Sequence, residues 1–478
     1  MAAIFFIFAA DVFSQQTIFT PPQTPQPTSA EFITQNGLTV EKLIELGASR
    51  RADLLAARQR LAVAEGRLLQ ARLRPNPTLD TEYGSARFLG GEAESDLAVG
   101  VSQVFELVDK RNKRTTVAEL ELRQIRAEVS AIERQLAVEI RTAYTNALAA
   151  ARQLDVLEKL ITADEEIVRV TEARLKEGDV APLDLNLVKV EADRLRVQVI
   201  TAKSELETQL LDLKTLTGAD IAESFRLAPQ AERPPRLDLG LNELTEIAFR
   251  ERADLQAARL GEQLGSAQIN LAKANAVPNI AGSVRYSRNK SIVDFPARLG
   301  GGSFPNSDNS LTFGVAIEIP VFNRNQGEIA AATGGQIQAT RAREFLETTI
   351  KRDVAVAFRK YRAAAEALVI YTTQILPRAE ENLQTIRSAY GFGEFSIFEV
   401  VNEQRRLTEN VTGYNQSLRD YYNALNELET ALGTTIPPTG FAPMSQSVLP
   451  DKEFVPTQID REKFLKSIET VNLLKKKE

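Results

Sequence analysis

Two short stretches hold the side chains whose types and spacing could do chemistry. Arg174–Leu185 reads RLKEGDVAPLDL, and 215 residues later Ala389–Val400 reads AYGFGEFSIFEV. Each has a Gly four residues in (Gly178, Gly393), then an acid (Asp179, Glu394), then a small residue (Ala181, Ser396). A second acid stands six residues past each Gly (Asp184, Glu399). Carboxylates at fixed places beside a sharp turn could bind cations, work as an acid–base pair or set the charge of an opening. Composition narrows the choice. The chain has no His and no Cys, which removes imidazole bases, triads, thiolate nucleophiles, disulfides and lipid attachment through an N-terminal Cys. A transition-metal site would have to be built from carboxylates and amides alone. The 64 acids provide many pairs for glycoside hydrolysis, but none falls in a recognisable site. No GxxxxGK[ST] phosphate loop is present. A net charge of −6 argues against nucleic acid as a partner. The reading is therefore not an enzyme, with no cofactor and no resident metal.

Both stretches interrupt very long helix-forming segments. Lys110 to Lys176 contains no Pro and no Gly, and as one helix it would span about 100 Å. Only a bundle or coiled coil can bury such an element. Its seam runs Ile125, Val129, Ile132, Leu136, Ile140, Ala143 and Ala147, a period of about 3.67 that suits nearly straight packing in a wide cylinder. Leu154, Leu157, Ile161, Val168 and Leu175 continue at about 3.5, the period of a left-handed two-helix coil. Asp164 and Thr171 occupy the two missing stations of that seam.

The chain reads as one unit written twice. RADL at Arg51–Leu54 recurs at Arg252–Leu255, EIRTAY (Glu139–Tyr144) is echoed by DVAVAF (Asp353–Phe358), and TLTG (Thr215–Gly218) by TALG (Thr430–Gly433). A period this long marks a duplication rather than a solenoid. The first repeat is expected over 38–218, with strands 78–88 and 96–106, a long helix 110–176 and a return helix 183–217. The second is expected over 219–433, with strands 279–288 and 310–320, a long helix 326–390 and a return helix 396–432. Short amphipathic helices, Val40–Leu46 and Leu241–Arg250, precede each. Residues 1–14 read as a signal peptide with an apolar core but no basic start. Residues 15–37 read as a disordered Pro- and Gln-rich leader, and 434–478 as a poorly ordered tail.

The strands alternate cleanly. Leu311, Phe313, Val315, Ile317 and Ile319 share one face, opposite Thr312, Gly314, Ala316 and Glu318. Leu97, Val99, Val101 and Phe105 do the same against Ala98, Gly100 and Ser102. A sandwich with one wet face would also alternate, but helices this long cannot cover a small sheet. Four strands cannot close a barrel alone, since small barrels need about eight or more. Three copies would supply twelve. The inter-strand loops Phe88–Ser95 and Asn289–Asn309 are polar enough to lie in solvent outside the membrane.

With order, duplication and strand pattern assembled, the sequence resembles the TolC-like outer membrane factors from about Leu38 to Gly433. RLRPNPTLD (Arg72–Asp80) and PVFNRNQGEI (Pro320–Ile329) resemble the heavy-metal efflux branch typified by CzcC and CusC. The resemblance implies a mainly α chain with membrane β, in two tandem repeats. Its four transmembrane strands would join a trimeric 12-stranded β-barrel, continued by a long periplasmic α-helical coiled-coil barrel. It implies a homotrimer in outer membrane lipid, passively passing metal cations or drugs from an inner-membrane RND-type pump through a periplasmic adaptor. Two other readings are an outer-membrane duct for type I protein secretion and a periplasmic coiled-coil adaptor or scaffold. Carried over position by position, Gly178 and Gly393 fall on the tip glycines. Arg174, Leu175, Ala181 and Ser396 fall where the family meets its adaptor, and Tyr390 on an aromatic that latches the closed tip. Glu399 falls on the first of two constriction acids, with Asp184 its counterpart in the first repeat. Asn402 stands where the second acid would be. Three copies of Glu399 crowded on an axis would raise one another's pKa or recruit a cation.

Overall fold

The computed structural model describes residues 32–85, 94–229, 236–295, 298, 300–392, 394–436 and 440–441. The expected signal peptide, and the leader as far as residue 31, lie outside them. Strand β1 (Ile33–Leu38) opens the described chain, followed by helices α1 (Val40–Arg50) and α2 (Ala52–Arg72), strands β2 (Thr78–Ser85) and β3 (Ser95–Phe105), and helices α3 (Lys110–Glu177) and α4 (Pro182–Thr217). The same order then returns as α5 (Leu241–Glu251), α6 (Ala253–Asn275), β4 (Ile280–Phe295), β5 (Gly302–Ile317), α7 (Gln326–Ile370), α8 (Leu376–Gly391) and α9 (Ile397–Leu432).

The repeated sequence echoes turn out to be one repeated corner. Arg51 ends α1, starts α2 and bridges Asp53 at 2.9 Å and Glu139 of α3 at 3.1 Å. Arg252 occupies the same place between α5 and α6, 2.6 Å from Asp254 and 3.6 Å from Asp353 of α7. Thus the RADL pair and the Glu139/Asp353 pair are two sides of one contact. The return helices end against the same corners. A Cβ on Gly218 would stand 3.2 Å from Arg50 Cβ, and one on Gly433 2.9 Å from Arg252 Cα. Leu54 and Leu255, the last residues of each RADL, are buried.

The strands form one antiparallel sheet in the order β2-β3-β4-β5. Register puts Leu79, Val101, Val284 and Phe313 in one row across the sheet, and Thr81, Val99, Tyr286 and Leu311 in another on the same face. The opposite face carries Asp80, Gly100, Arg285 and Thr312, then Glu82, Ala98, Ser287 and Ser310. Arg285 and Glu82 pair there at 3.3 Å. The apolar face is bare, with Phe313 and Val315 each 74% exposed.

Four expectations need correction. The second hairpin is longer than read. Asn289–Asn309 is no simple loop, because β4 and β5 stay paired out to Phe295 and Gly302. Irregular alternation hid this, since Ile292, Val293, Phe295 and Phe304 fall among polar residues on both faces, and the reversal falls at glycines with positive φ, Gly300 to Gly302. Next, the second long helix runs to Gly391 but is not α-helical throughout. A π-helical turn at Tyr371–Ile375 separates α7 from α8 just before Pro377, which has no N–H to give. The tail is ordered at its start, where Ile436 is buried and Phe441 bridges Leu237. Finally, the end of the leader is ordered, because β1 bridges Leu227.

At the junction between sheet and helices the chain turns sharply. Asp109 and Asn325, the residues before α3 and α7, both adopt left-handed backbone with φ of 62° and 58°, which Asp and Asn tolerate better than most. Lys110 then donates to Val277 O at 2.5 Å and Asn279 Oδ1 at 2.6 Å, tying the first long helix to the start of β4.

Gly433→Ala is expected to lower the unfolding midpoint more than Gly178→Ala. Both have left-handed φ (72° and 85°), worth about 1–2 kcal/mol against a side chain. Only at Gly433 would the added Cβ also strike backbone, whereas nothing lies within 4 Å at Gly178. Thermal unfolding of the detergent-solubilised protein measures the difference, and equal losses would contradict it.

Candidate functional site

The far end of the molecule is made by two helical hairpins, α3/α4 and α7–α8/α9. At the first tip Gly178 closes α3 with φ 85°, its N–H donating to Leu175 O while Asp179 N–H donates to Arg174 O. This is a Schellman ending, which a left-handed Gly makes at little cost. Pro182 begins α4, where its missing N–H is harmless. At the second tip α8 ends at Gly391, and Glu394 N–H reaches Ala389 O at 3.0 Å. Gly393 lies outside the described residues.

The acids six residues past each glycine have a local task. Asp184 accepts from the Ala181 backbone N–H at 3.2 Å. Glu399 accepts from the Ser396 N–H at 3.0 Å and also from the Ser396 hydroxyl. Both are third residues of their helices, reaching back to free N–H groups and the positive end of the helix dipole. The Ser396 hydroxyl is the first cause that holds the Glu399 carboxyl below its ordinary pKa, with backbone hydrogen bonds adding to it. Crowding of copies on an axis would have to work against that preference.

Arg174 and Tyr390 join the tips. The Arg174 guanidinium donates to Tyr390 Oη at 2.9 Å and lies 5.7 Å from the ring centre. Leu175 is half-buried, Ala181, Ser396 and Gly178 are exposed, and Asn402 accepts from Arg405 at 2.9 Å. Beneath them Val188, Ile397 and Val400 form a small buried cluster with Leu185 and Tyr390. Leu183, Phe392, Phe395 and Phe398 remain exposed around it.

What sequence reading missed is the join between the hairpins. Helices α3 and α9 run antiparallel and meet through a ladder of polar side chains. Arg141 pairs with Glu429 at 2.8 Å, Asn423 donates to Asn146 at 2.9 Å, and Gln153 bonds both Thr412 and Asn415. Nearest the tip, Gln404 donates to Asp164, both side chains being buried. The one signal was Asp164 and Thr171 at the broken stations of the seam. Thr171 answers its own backbone at Ile167 O, and Asp164 answers the other hairpin.

A sheet with a bare apolar face, set on helices about 100 Å long, defines an outer-membrane protein of the barrel-and-tunnel class. The comparisons agree. The model of the outer membrane efflux protein family matches residues 43–219 and 244–434, and the chain belongs to that family. Among curated relatives, the cobalt-zinc-cadmium resistance protein CzcC of Cupriavidus metallidurans is 24% identical over 83% of this chain and 90% of its own. Outer membrane protein TolC of Vibrio cholerae is 23% identical over 76% and 83%. The crystal structure of CusC overlays with a TM-score of 0.67 at 20% identity, covering 86% of this chain and 96% of that one. The fold is that of the TolC-like channels.

Tyr390→Phe and Arg174→Ala are each expected to speed backbone hydrogen exchange at the end of α8. The double variant should add little, because both remove one contact. Fully additive effects would show that the pair is not the link.

Proposed function

We propose that this chain is the exit duct of a tripartite efflux system, acting as a homotrimer. The observation that carries the proposal is the sheet. Among the described residues β2 and β5 pair on one side only, while the face they border is apolar and exposed. In hydrocarbon an unpaired strand edge is not tolerated. Pairing β5 of one copy with β2 of the next removes every edge, and three copies make a 12-stranded barrel. The helices support the same closure. They stand in the order α4, α3, α9, α7 by their packing. Both flanks keep exposed apolar side chains, Leu183, Val190 and Val197 at seven-residue spacing on α4, and Ile337, Phe345 and Val356 on α7. Head-to-tail rotation brings unlike flanks together and closes a ring.

In this assembly residues 38–218 and 219–433 act as tandem repeats, and the six hairpin tips surround the inner end. Arg174, Leu175, Gly178, Ala181 and Ser396, with Gly393 by its place in the sequence, form the surface for a periplasmic adaptor, which the exposed Phe392 and Phe395 support. The adaptor joins the duct to an RND-type inner-membrane pump. Glu399, Asn402, Asp184 and the Tyr390 latch border the aperture. The cargo is a metal cation, by analogy with CzcC. With no His, no Cys and two Met in the chain, the duct itself offers no soft ligands. Metal selection rests with pump and adaptor.

The protein extracted from outer membranes should run as a trimer in unheated electrophoresis and conduct in planar bilayers; a non-conducting monomer would refute the proposal. Glu399→Ala should raise single-channel conductance and weaken block by multivalent cations. Unchanged conductance and block would remove Glu399 from the aperture.

A further inference from the structure

The most unusual group outside the tips is Asp164. It lies in α3, 5% exposed, at a seam position that the helical pattern reserves for an apolar residue. Charged groups or hydrogen-bond partners face it from every helix of the two hairpins at this level. Gln404 of α9, itself 4% exposed, donates to its carboxylate. Arg387 of α8, whose Nε is buried, adds a positive charge, and Glu191 of α4 a negative one. A buried acid normally keeps its charge only with a full set of partners. Here one amide and one guanidinium stand against desolvation and a second acid.

We propose that Asp164 is a proton-operated clasp between the hairpins: protonated, it stays buried against Gln404 and holds α3 to α9, and ionised, it favours a parted and hydrated arrangement. This rests on the reading of the tips as an aperture. Burial is the largest influence, and with Glu191 it outweighs Gln404 and Arg387, raising the carboxyl pKa to about 7. A hydrated Asp164 would lose its proton near pH ~3.9. The joined form is therefore fully favoured below about pH 4 and loses that advantage as pH rises to about 7, by up to about tenfold in ratio per unit. Above that it changes no further. Arg387, whose pKa burial lowers to about 10, keeps its charge throughout this window.

The test uses the full-length protein in planar bilayers from pH 5 to about 8.5, beside hydrogen exchange of Leu160–Val168 and Gln404–Thr408 corrected for intrinsic rates. Conductance and exchange should both rise with pH to a plateau near neutrality. Asp164→Asn should fix both at the low-pH level, and Glu191→Gln should move the midpoint to lower pH. A wild-type profile without pH dependence, or an Asn variant that keeps the wild-type profile, overturns the clasp. Conductance without either pH response leaves the duct reading intact and removes the clasp. Absent conductance with pH-dependent exchange does the reverse.

Discussion

Everything in this molecule is arranged along one helix. At 68 residues α3 runs without interruption from the foot of the sheet to the tip, and no single partner can cover a rod of that length. It is clothed in stages, by α2 and α6 near the sheet and by α4 and α9 towards the tip. The change of seam period along its sequence reflects this change of company. Near the sheet it is one stave among several, and near the tip half of a hairpin. The second repeat solves the same problem with a π-helical turn. Its π turn lets Pro377 sit in the helix, and Tyr371 there fills the space left by Gly413, where a Cβ would lie 2.5 Å from the Tyr371 Oη.

The two kinds of interface differ in polar content. Within the second hairpin, Tyr361 of α7 and Tyr421 of α9 meet with ring centres 5.4 Å apart among buried Leu, Val and Ala. Between hairpins, α3 meets α9 through amides, hydroxyls and one ion pair beside an apolar cluster in which Val156, Leu157 and Leu160 join Leu407 and Val411. An apolar interface loses stability in proportion to the area exposed. A ladder of hydrogen bonds can exchange its partners for water at a much smaller net cost. The join between hairpins is thus apolar in part, with a polar ladder along it that water can replace at the smaller cost.

Much of the fold was legible because it repeats and because its periods are long. The helix read over 110–176 runs to Glu177, and the first strand pair begins within a residue of its expected places. What escaped was contact across the duplication. The capping task of Asp184 and Glu399 was hidden because an acid near a turn reads equally as cap, surface or site. Arg174 and Tyr390 were both singled out, but nothing in one sequence says that they touch. The Asp164–Gln404 pair lies 240 residues apart, and only the gap in the seam hinted at it. The extra length of β4 and β5 was missed for a simpler reason. Outside hydrocarbon a strand needs no apolar face, so it loses the alternation by which it was recognised.

That extra length also sets how deep the wall sits. Among the described residues, β4 and β5 continue beyond the Ser95–Lys290–Ser307 row, where the pairing of β3 ends. A strand edge left without a partner is tolerated only outside hydrocarbon. The row of Tyr83, Leu97, Arg288 and Asn309 is where a charged side chain first appears on the apolar face. From Ile280 to Arg288 is about 27 Å along the strand, which strand tilt brings within the ~25 Å apolar band of such barrels. The sheet is its own depth gauge, graduated by where one strand stops and its neighbours go on.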